Sequence, residues 1–315
     1  MKIFKGYALL DKHYPNPVIT LGNFDGVHKG HQKIFKKVKD LAQSLKGTSI
    51  VYTFNPHPLK VLNSENGPPL ITTLIEKLKM MELCEIDIVI CENFTKEFAE
   101  ISPQDFVKEI LVEKIGVKEI IIGNDYRFGK GREGDAKYIK KLGEEYGFNV
   151  SVIPTITLNE TMVRSSVIRN LIKEGDIKKA SELLGRNYMI GGEIIEGKKR
   201  GKVMGFPTAN IKPEKELLPP IGIYAIWAFY QGNIKPAVVN IGYNPTFQDE
   251  TLSVEVYILD FNRAIYHHYL EISFVKKIRD EKKFSGPEEL ALQIKKDVEE
   301  AKEILKTEIP PSFIA

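Results

Sequence analysis

His28 and His31 stand three residues apart with Gly30 between them, and Gly22-Asn23-Phe24-Asp25-Gly26 lies just ahead. The apolar run from Val18 to Leu21 reads as a buried strand, and a basic amphipathic helix is expected from Gln32 to Leu45. A helix entrance offers unpaired backbone N–H groups and a partial positive charge, so it suits phosphate. Glycines there let a phosphate chain come close to the backbone. Each histidine can donate to a phosphate oxygen. The chemistry this suggests is the binding of a phosphate chain and the stabilisation of charge on its oxygens. Histidine pairs are more often satisfied surface or core residues, but the glycine-rich strand-to-helix setting favours the phosphate reading. Two histidines without nearby cysteines are an incomplete zinc ligand set.

Three further segments suit the same site. Thr53-Phe-Asn-Pro-His-Pro58 follows a strand, so Asn55 and His57 should emerge at that strand's C-terminal end, where parallel α/β sheets bind ligands. A proline-rich turn would explain this segment taken alone. Gly123-Asn-Asp-Tyr-Arg-Phe-Gly129 follows another strand and combines Asp125, Arg127 and two aromatic rings, which suits a planar ring with a phosphate tail. Ser165 and Ser166 put two hydroxyls at a helix start, with Arg169 on its first turns; capping alone would also account for the serines.

A second constellation lies downstream. Gly197-Lys-Lys-Arg-Gly201, with Lys199 at its centre, precedes Gly205-Phe-Pro-Thr-Ala-Asn210. Glycines with cationic side chains make a loop able to wrap a nucleotide diphosphate. Thr208 and Asn210 are two apart, so in an extended segment they point to one side, and a hydroxyl and an amide oxygen can both face Mg²⁺. The plain alternative is a basic turn followed by an edge strand broken at Pro207. Glu255 alternates with Val254 and Val256; if the valines face a core, the carboxylate faces out or lines a cleft.

These side chains need scaffolding, and 315 residues with 43% hydrophobic content suffice for about two packed domains. The first part alternates strands (Val18–Leu21, Ser49–Phe54, Ile86–Ile90, Glu119–Ile122, Asn149–Ile153) with helices (Gln32–Leu45, Thr73–Cys84, Pro103–Lys114, Ala136–Tyr146). That alternation implies βαβ units and a Rossmann-like parallel sheet. Two short helices follow, Met162–Lys173 and Asp176–Leu184. From Tyr188 the period changes to short strands punctuated by Gly and Pro: Met189–Ile195, Tyr224–Tyr230, Lys235–Ile241, Ser253–Asp260 and Leu270–Val275. This pattern fits a small antiparallel β-barrel. A last helix starts near Ser285-Gly-Pro-Glu288, and its stripe of Leu290, Ile294, Val298, Ala301 and Leu305 should pack on the barrel. The expected division is 1–185 and 186–315. With 45 basic against 42 acidic residues, bulk charge gives no reason to expect nucleic acid. No apolar run reaches a membrane span and the N-terminus lacks a secretory signal. Two cysteines, Cys84 and Cys91, build no disulfide framework, so a reducing cytoplasm is the expected compartment. Composition leaves self-association open.

The spacing His28-x-Gly30-His31 resembles the signature of adenylyl-transferring nucleotidyltransferases. Taken with the later motifs in order, nearly the whole chain resembles the prokaryotic bifunctional riboflavin kinase/FAD synthetase family. The resemblance implies that the first domain transfers AMP from ATP to FMN. Gly22, Asn23, Phe24, Asp25, His28, His31, Ser165, Ser166 and Arg169 then belong to ATP, with His28 and His31 catalytic. Asn55, His57, Asp125 and Arg127 belong to the flavin side, where the family often has a second acid at the position of Asn124. In the second domain the resemblance implies a riboflavin kinase. Gly197, Lys199, Gly201, Gly205, Pro207, Thr208 and Asn210 would bind nucleotide, with Mg²⁺ on Thr208 and Asn210. Glu255 would be the general base toward a primary hydroxyl. Arg279, Glu281 and Phe284 match a flavin-side flap, although a charged capping loop would read the same way. The run Asn240-Ile-Gly-Tyr-Asn-Pro-Thr-Phe247 also matches the family, without a role for each residue. Where the family commonly has Tyr-Gly, this chain has Tyr266-His267-His268, and the two histidines are not read as ligands. The implied small molecules are riboflavin, FMN, FAD and ATP. The alternatives are a single-activity nucleotidyltransferase and a flavin-sensing regulatory protein.

Overall fold

The computed structural model describes residues 1–63, 65, 67–197, 205–245, 250–261, 263 and 265–311, with backbone alone at 244, 245, 250 and 251. The chain forms two compact units. One comprises Met1–Pro68 and Thr72–Ser165, and the other comprises Ser166 onward together with the three-residue segment Pro69–Ile71.

The first unit is a six-stranded, all-parallel sheet. Its strands are β1 (Lys2–Phe4), β2 (Pro17–Leu21), β3 (Thr48–Phe54), β4 (Ile88–Glu92), β5 (Glu119–Gly123) and β6 (Asn149–Ile153). The spatial order is β1-β4-β3-β2-β5-β6. β2 and β4 are buried along their whole length, as strands covered on both faces must be. Winding runs outward from β2 in both directions, so the order reverses between β2 and β5, the place where open α/β sheets leave a ligand crevice. Helices α1 (Lys29–Ser44), α2 (Pro58–Leu62), α3 (Leu74–Leu83) and α4 (Ala136–Tyr146) lie between the strands. The main core gathers Ile19, Ile50, Tyr52, Ile90, Ile120 and Phe106, among others.

Some boundaries differ from the sequence expectation for clear reasons. β4 starts two residues late and ends on Glu92, a charged residue that closes an apolar run in sequence. Its buried carboxylate accepts the Tyr52 hydroxyl at 2.6 Å and the Tyr7 N–H at 3.0 Å. The helix expected over Pro103–Lys114 is one α turn, Pro103–Asp105, followed by a wide helix over Phe106–Ile115 with i to i+5 bonding. Its buried residues are Phe106, Val107, Ile110, Leu111 and Ile115, which include the five-residue steps 106–111 and 110–115 that the wider turn lines up. β1 is three residues long, too short for any period to announce it. A two-stranded ribbon, β7 (Thr157–Leu158) and β8 (Thr161–Met162), was likewise not foreseen.

The second unit begins with α5 (Ser165–Glu174), whose first residue clusters with the first unit, and α6 (Ile177–Leu184). A closed six-stranded antiparallel barrel follows, in the order β10-β13-β12-β11-β14-β9. The strands are β9 (Met189–Ile195), β10 (Ala209–Pro213), β11 (Gly222–Tyr230), β12 (Asn233–Pro245), β13 (Glu250–Ile258) and β14 (Tyr269–Arg279). The barrel interior holds Tyr224, Ile226, Val239, Val256 and Phe274, all essentially inaccessible. The terminal helix α7 (Pro287–Lys306) covers one outer flank: Val298, Ala301 and Leu305 pack on Ala225, Trp227, Phe229 and Val238. Ile294 and Ile304 extend that contact, while Leu290 is only half-buried. Gly286 caps α7 without a side-chain bond, and Ser285 instead donates its N–H and hydroxyl to Glu289.

Pro69–Ile71 is held within the second unit by two cations. Arg169 Nε donates to the Pro69 carbonyl at 3.0 Å. The buried Lys215 ammonium donates to the carbonyls of Ile71, at 3.3 Å, and Met189, and lies 5.0 Å from the Tyr188 ring centre.

Candidate functional site

In the first unit β3, β2 and β5 lie side by side, and their C-terminal ends release Asn55–His57, Gly22–His28 and Gly123–Gly129. The three loops singled out in sequence therefore leave one sheet edge.

α1 starts at Lys29, three residues earlier than expected, because His28 is its N-cap. His28 Nδ1 accepts the His31 backbone N–H at 3.3 Å, which leaves Nε2 to carry the proton of the neutral ring. His31 is in the first helical turn, and its ring stacks on that of His28, with centroids 3.5 Å apart and planes 20° apart. Gly30 permits the stack: a Cβ there would lie 3.1 Å from the His28 ring. Phe24 is buried, with its ring edge-on to His31 at 5.2 Å and to Phe35 at 4.9 Å. It supports His31 from below. Phe24 and Val27 have φ of 50° and 39°, a left-handed conformation that is costly for bulky and β-branched residues.

Asp25 is also buried. Its Oδ1 accepts the Thr72 N–H and hydroxyl, each at 3.1 Å, while Gly26 N–H donates to Thr72 Oγ1 at 3.0 Å. The Ser165 hydroxyl donates to the Asp25 carbonyl at 2.9 Å. Asp25 and Ser165 thus hold the loop's shape. Asn23 Nδ2 lies 3.3 Å from Nε2 of the buried His57, which caps α2 through Nδ1. Asn55 is exposed beside it.

On the β5 loop, Asn124 Oδ1 accepts the Thr155 hydroxyl at 2.9 Å. Asp125 and Arg127 are exposed, and the Tyr126 ring stacks on buried Phe128 at 5.7 Å. Ser166 is exposed, and Arg169 holds Pro69 in the second unit.

Two residues were missed in the sequence. Lys77 on α3 is buried, and its ammonium donates to the Asn23 carbonyl (3.3 Å), the Thr53 hydroxyl (3.1 Å) and the Phe54 carbonyl (3.0 Å). It ties the β2 loop to the end of β3. Burial holds this ammonium below its ordinary 10.5, partly offset by Cys91 and Asp25. The available signal was a lysine on the helix face that also carries Met80 and Met81. Arg164, adjacent to the expected serines, places Nε 3.9 Å from Asp125 Oδ2.

In the second unit Asn210 of β10 stands opposite Glu255 of β13, which stands opposite Asn240 of β12. Paired residues share a face. Val254 and Val256 are buried inside the barrel, so Glu255 is on its outer wall, half-buried. The segment carrying Asn210, expected as extended or as an edge strand, is instead a strand of the closed barrel, paired with β13 over Ala209–Ile211 and with β9 over Asn210–Pro213. Gly197 approaches Asn210 so closely that a Cβ would meet its amide nitrogen at 2.1 Å. Thr208 and Pro207 are half-buried ahead of β10, Gly205 takes φ 82°, and the Phe206 ring meets Tyr257 edge-on at 5.4 Å. Lys199, Gly201, Thr246 and Phe247 lie outside the described residues.

Glu281 covers Gly242, where a Cβ would stand 2.7 Å from Oε1. Arg279 gives Nε and Nη2 to the two oxygens of buried Asp297 at 2.8 and 2.7 Å, and its guanidinium lies 5.8 Å from the Phe284 ring centre. This bidentate pair anchors residues 280–286 to α7. His267 and His268 are in an exposed turn, on Glu193 and Tyr230 respectively. Among the described residues no three of His, Cys, Asp and Glu gather as a metal site. Among them, no helix is long and apolar enough to cross a membrane.

Comparison with known proteins is consistent across the chain. A family model for FAD synthetase matches residues 10–167, and one for riboflavin kinase matches 184–305. The chain is 40% identical over 301 residues to a bifunctional riboflavin kinase/FMN adenylyltransferase of Buchnera aphidicola, covering 95% of this chain and 96% of that one. Proteins of the same description from Bacillus subtilis and Escherichia coli K12 are 37% and 33% identical; the alignments cover 94% and 96% of this chain and 94% and 97% of theirs. A crystal structure from Streptococcus pneumoniae, described as a macrolide-efflux protein, superposes with a TM-score of 0.87 at 27% identity, covering 98% of this chain and 99% of that one.

Proposed function

Because the chain belongs to the bifunctional riboflavin kinase/FMN adenylyltransferase family, we propose a role for each residue in its two reactions. The C-terminal domain phosphorylates riboflavin to FMN with ATP, and the N-terminal domain adenylylates FMN to FAD with release of pyrophosphate. The functional division is 1–185 and 186–315, with the boundary just past the start of the riboflavin kinase match.

Adenylyl transfer is an in-line attack by an FMN phosphate oxygen on the α-phosphorus of ATP. His28 Nε2–H and the His31 ring donate to the phosphate oxygens as charge develops there. Gly22, Asn23 and Asp25 shape the loop beneath ATP, and Phe24 fixes the His31 ring. Ser165, Ser166 and Arg169 complete the ATP side, and Asn55, His57, Asp125 and Arg127 the flavin side. The observation that carries this reading is the stacked histidine pair at the N-terminus of α1, at the sheet's switch point.

In the kinase, Glu255 removes the proton of the riboflavin primary hydroxyl as its oxygen attacks the γ-phosphorus, and ADP leaves. Gly197, Lys199, Gly201, Gly205 and Pro207 shape the nucleotide loop. Thr208 and Asn210 would hold Mg²⁺. The fit is chemical: both offer neutral oxygens to a hard cation, and Gly197 leaves the Asn210 amide room that a side chain would fill. The metal, when bound, offsets phosphate charge. Arg279, Glu281 and Phe284 form the flavin-side flap. Cys84 and Cys91 form no disulfide, which suits a reducing cytoplasm.

The test is purified protein with riboflavin, ATP and Mg²⁺, the flavins being separated by chromatography. FMN and FAD should both accumulate. No new flavin from folded protein would overturn the reading, and FMN alone would leave only the kinase.

A further inference from the structure

The Asn240 amide oxygen is buried and meets no hydrogen-bond donor among the described residues. A buried amide oxygen left unbonded is unfavourable, so the position calls for a donor. Asn240 is the last polar member of the row Asn210–Glu255–Asn240, which crosses three neighbouring strands on the outer wall of the barrel and meets Ile223 of β11 beyond it. Its inward neighbours, Val239 and Ile241, are fully buried, as are Val254 and Val256 beside Glu255. Two residues along β12, on the same face, Gly242 is covered by Glu281 of the 280–286 loop.

The row has a direction. On the reading above, Asn210 marks the nucleotide and metal side and Glu255 the reacting hydroxyl, so the remainder of the acceptor alcohol extends away from Asn210, over β12. Mg²⁺ shared between the two amides is excluded by distance. Strand axes two spacings apart are about 9–10 Å from each other, and side chains on the outside of a barrel diverge. Mg²⁺ needs oxygens at about 2 Å. A hydroxyl of the acceptor's own chain has both the reach and the donor. Resting on the proposed roles of Asn210 and Glu255, we infer that Asn240 Oδ1 accepts a hydrogen bond from a secondary hydroxyl of the acceptor's polyol chain, and so selects polyol acceptors.

The full-length protein and its Asn240→Ala variant would be assayed with riboflavin and with analogues each lacking one secondary hydroxyl of the side chain. Losing one such bond should raise the KM for riboflavin roughly tenfold. The KM for ATP and the Mg²⁺ requirement should stay unchanged. One analogue should cost the wild type a similar factor yet cost the variant nothing more, since the lost hydroxyl and the lost amide are one interaction. Equal penalties for every analogue in both proteins would overturn the inference, as would a raised KM for ATP. Thermal unfolding reports whether the variant folds. If it does not, the wild-type analogue series decides alone, because a series with no penalised analogue also overturns the inference. Wild-type protein that phosphorylates no riboflavin would instead overturn the kinase reading itself.

Discussion

The histidine pair has two separable duties. His28 spends Nδ1 on capping α1, whereas His31 is held by stacking and by the Phe24 edge. Replacing His31 with Ala therefore leaves the cap in place. FAD formation from FMN should fall about 10²–10³-fold, the usual cost of one transition-state donor, with FMN formation from riboflavin unchanged. Equal loss of both activities in folded protein would show that the sites are not separate. Glu255→Gln should do the converse. Riboflavin phosphorylation should drop about 10²–10⁴-fold at saturating ATP and Mg²⁺, because an amide cannot take the hydroxyl proton. Near-wild-type turnover would return Glu255 to an ordinary outer-wall residue. The placement of His28, Gly30 and His31 at a helix entrance after a buried strand was legible in the sequence from residue type and spacing. Lys77 was not, because its importance comes from three acceptors on two other elements that only folding brings together. Asn240 stayed unassigned for the same reason: its neighbour Glu255 is fifteen residues away along a hairpin.

At the scale of elements, period told strand from helix well, but element ends followed partners the period cannot show. α1 gained a turn from the His28 cap, and β4 slid to Glu92 because Tyr52 and Tyr7 satisfy that carboxylate. β10 read only as an extended or edge segment, given its own Asn, Lys and Pro residues, and its two neighbours in the closed barrel make it a barrel strand. The loop over Gly242 is tied to α7 by the Arg279–Asp297 ion pair at its start, by Lys282 donating to Gln293 and by Ser285 donating to Glu289. Asp297→Ala would strand the largely buried Arg279, at a cost of about 3 kcal/mol in unfolding free energy. The KM for riboflavin should rise as residues 280–286 lose the buried one of their ties to α7, while FAD formation from supplied FMN continues. Denaturant titration with kinase assays on the same preparation would check both; an unchanged KM would detach that loop from flavin binding.

Across the whole molecule, buried phenols set an alkaline limit. Burial and the adjacent Glu92 carboxylate hold Tyr52 far above its ordinary 10.0, and burial likewise raises Tyr126 and Tyr224. Unfolded tyrosines ionise near pH 10 while these keep their protons. Their contribution is therefore complete below pH 10 and is lost as pH rises beyond it. Lys77 acts in the opposite sense, since its folded value lies below 10.5 and its burial becomes less costly as pH approaches that value. Three phenols outweigh one amine, so urea midpoints should fall from pH 10 upward, less steeply in Tyr52→Phe. A flat profile to pH 11 would refute this.

The three residues Pro69–Ile71 make the molecule harder to dissect than its gene order suggests. They come early in the chain yet cluster with the second unit, held by Arg169 and Lys215, and the next residue, Thr72, holds Asp25 in the first. A fragment starting at residue 186 would leave the buried Lys215 ammonium without the Ile71 carbonyl, and would lack Arg169 altogether. Cutting the chain between its two catalytic halves would therefore cost the kinase fragment stability even though every expected kinase residue is retained. Adding back a peptide that spans Pro69–Ile71 should recover part of that loss, measurable as a rise in melting temperature.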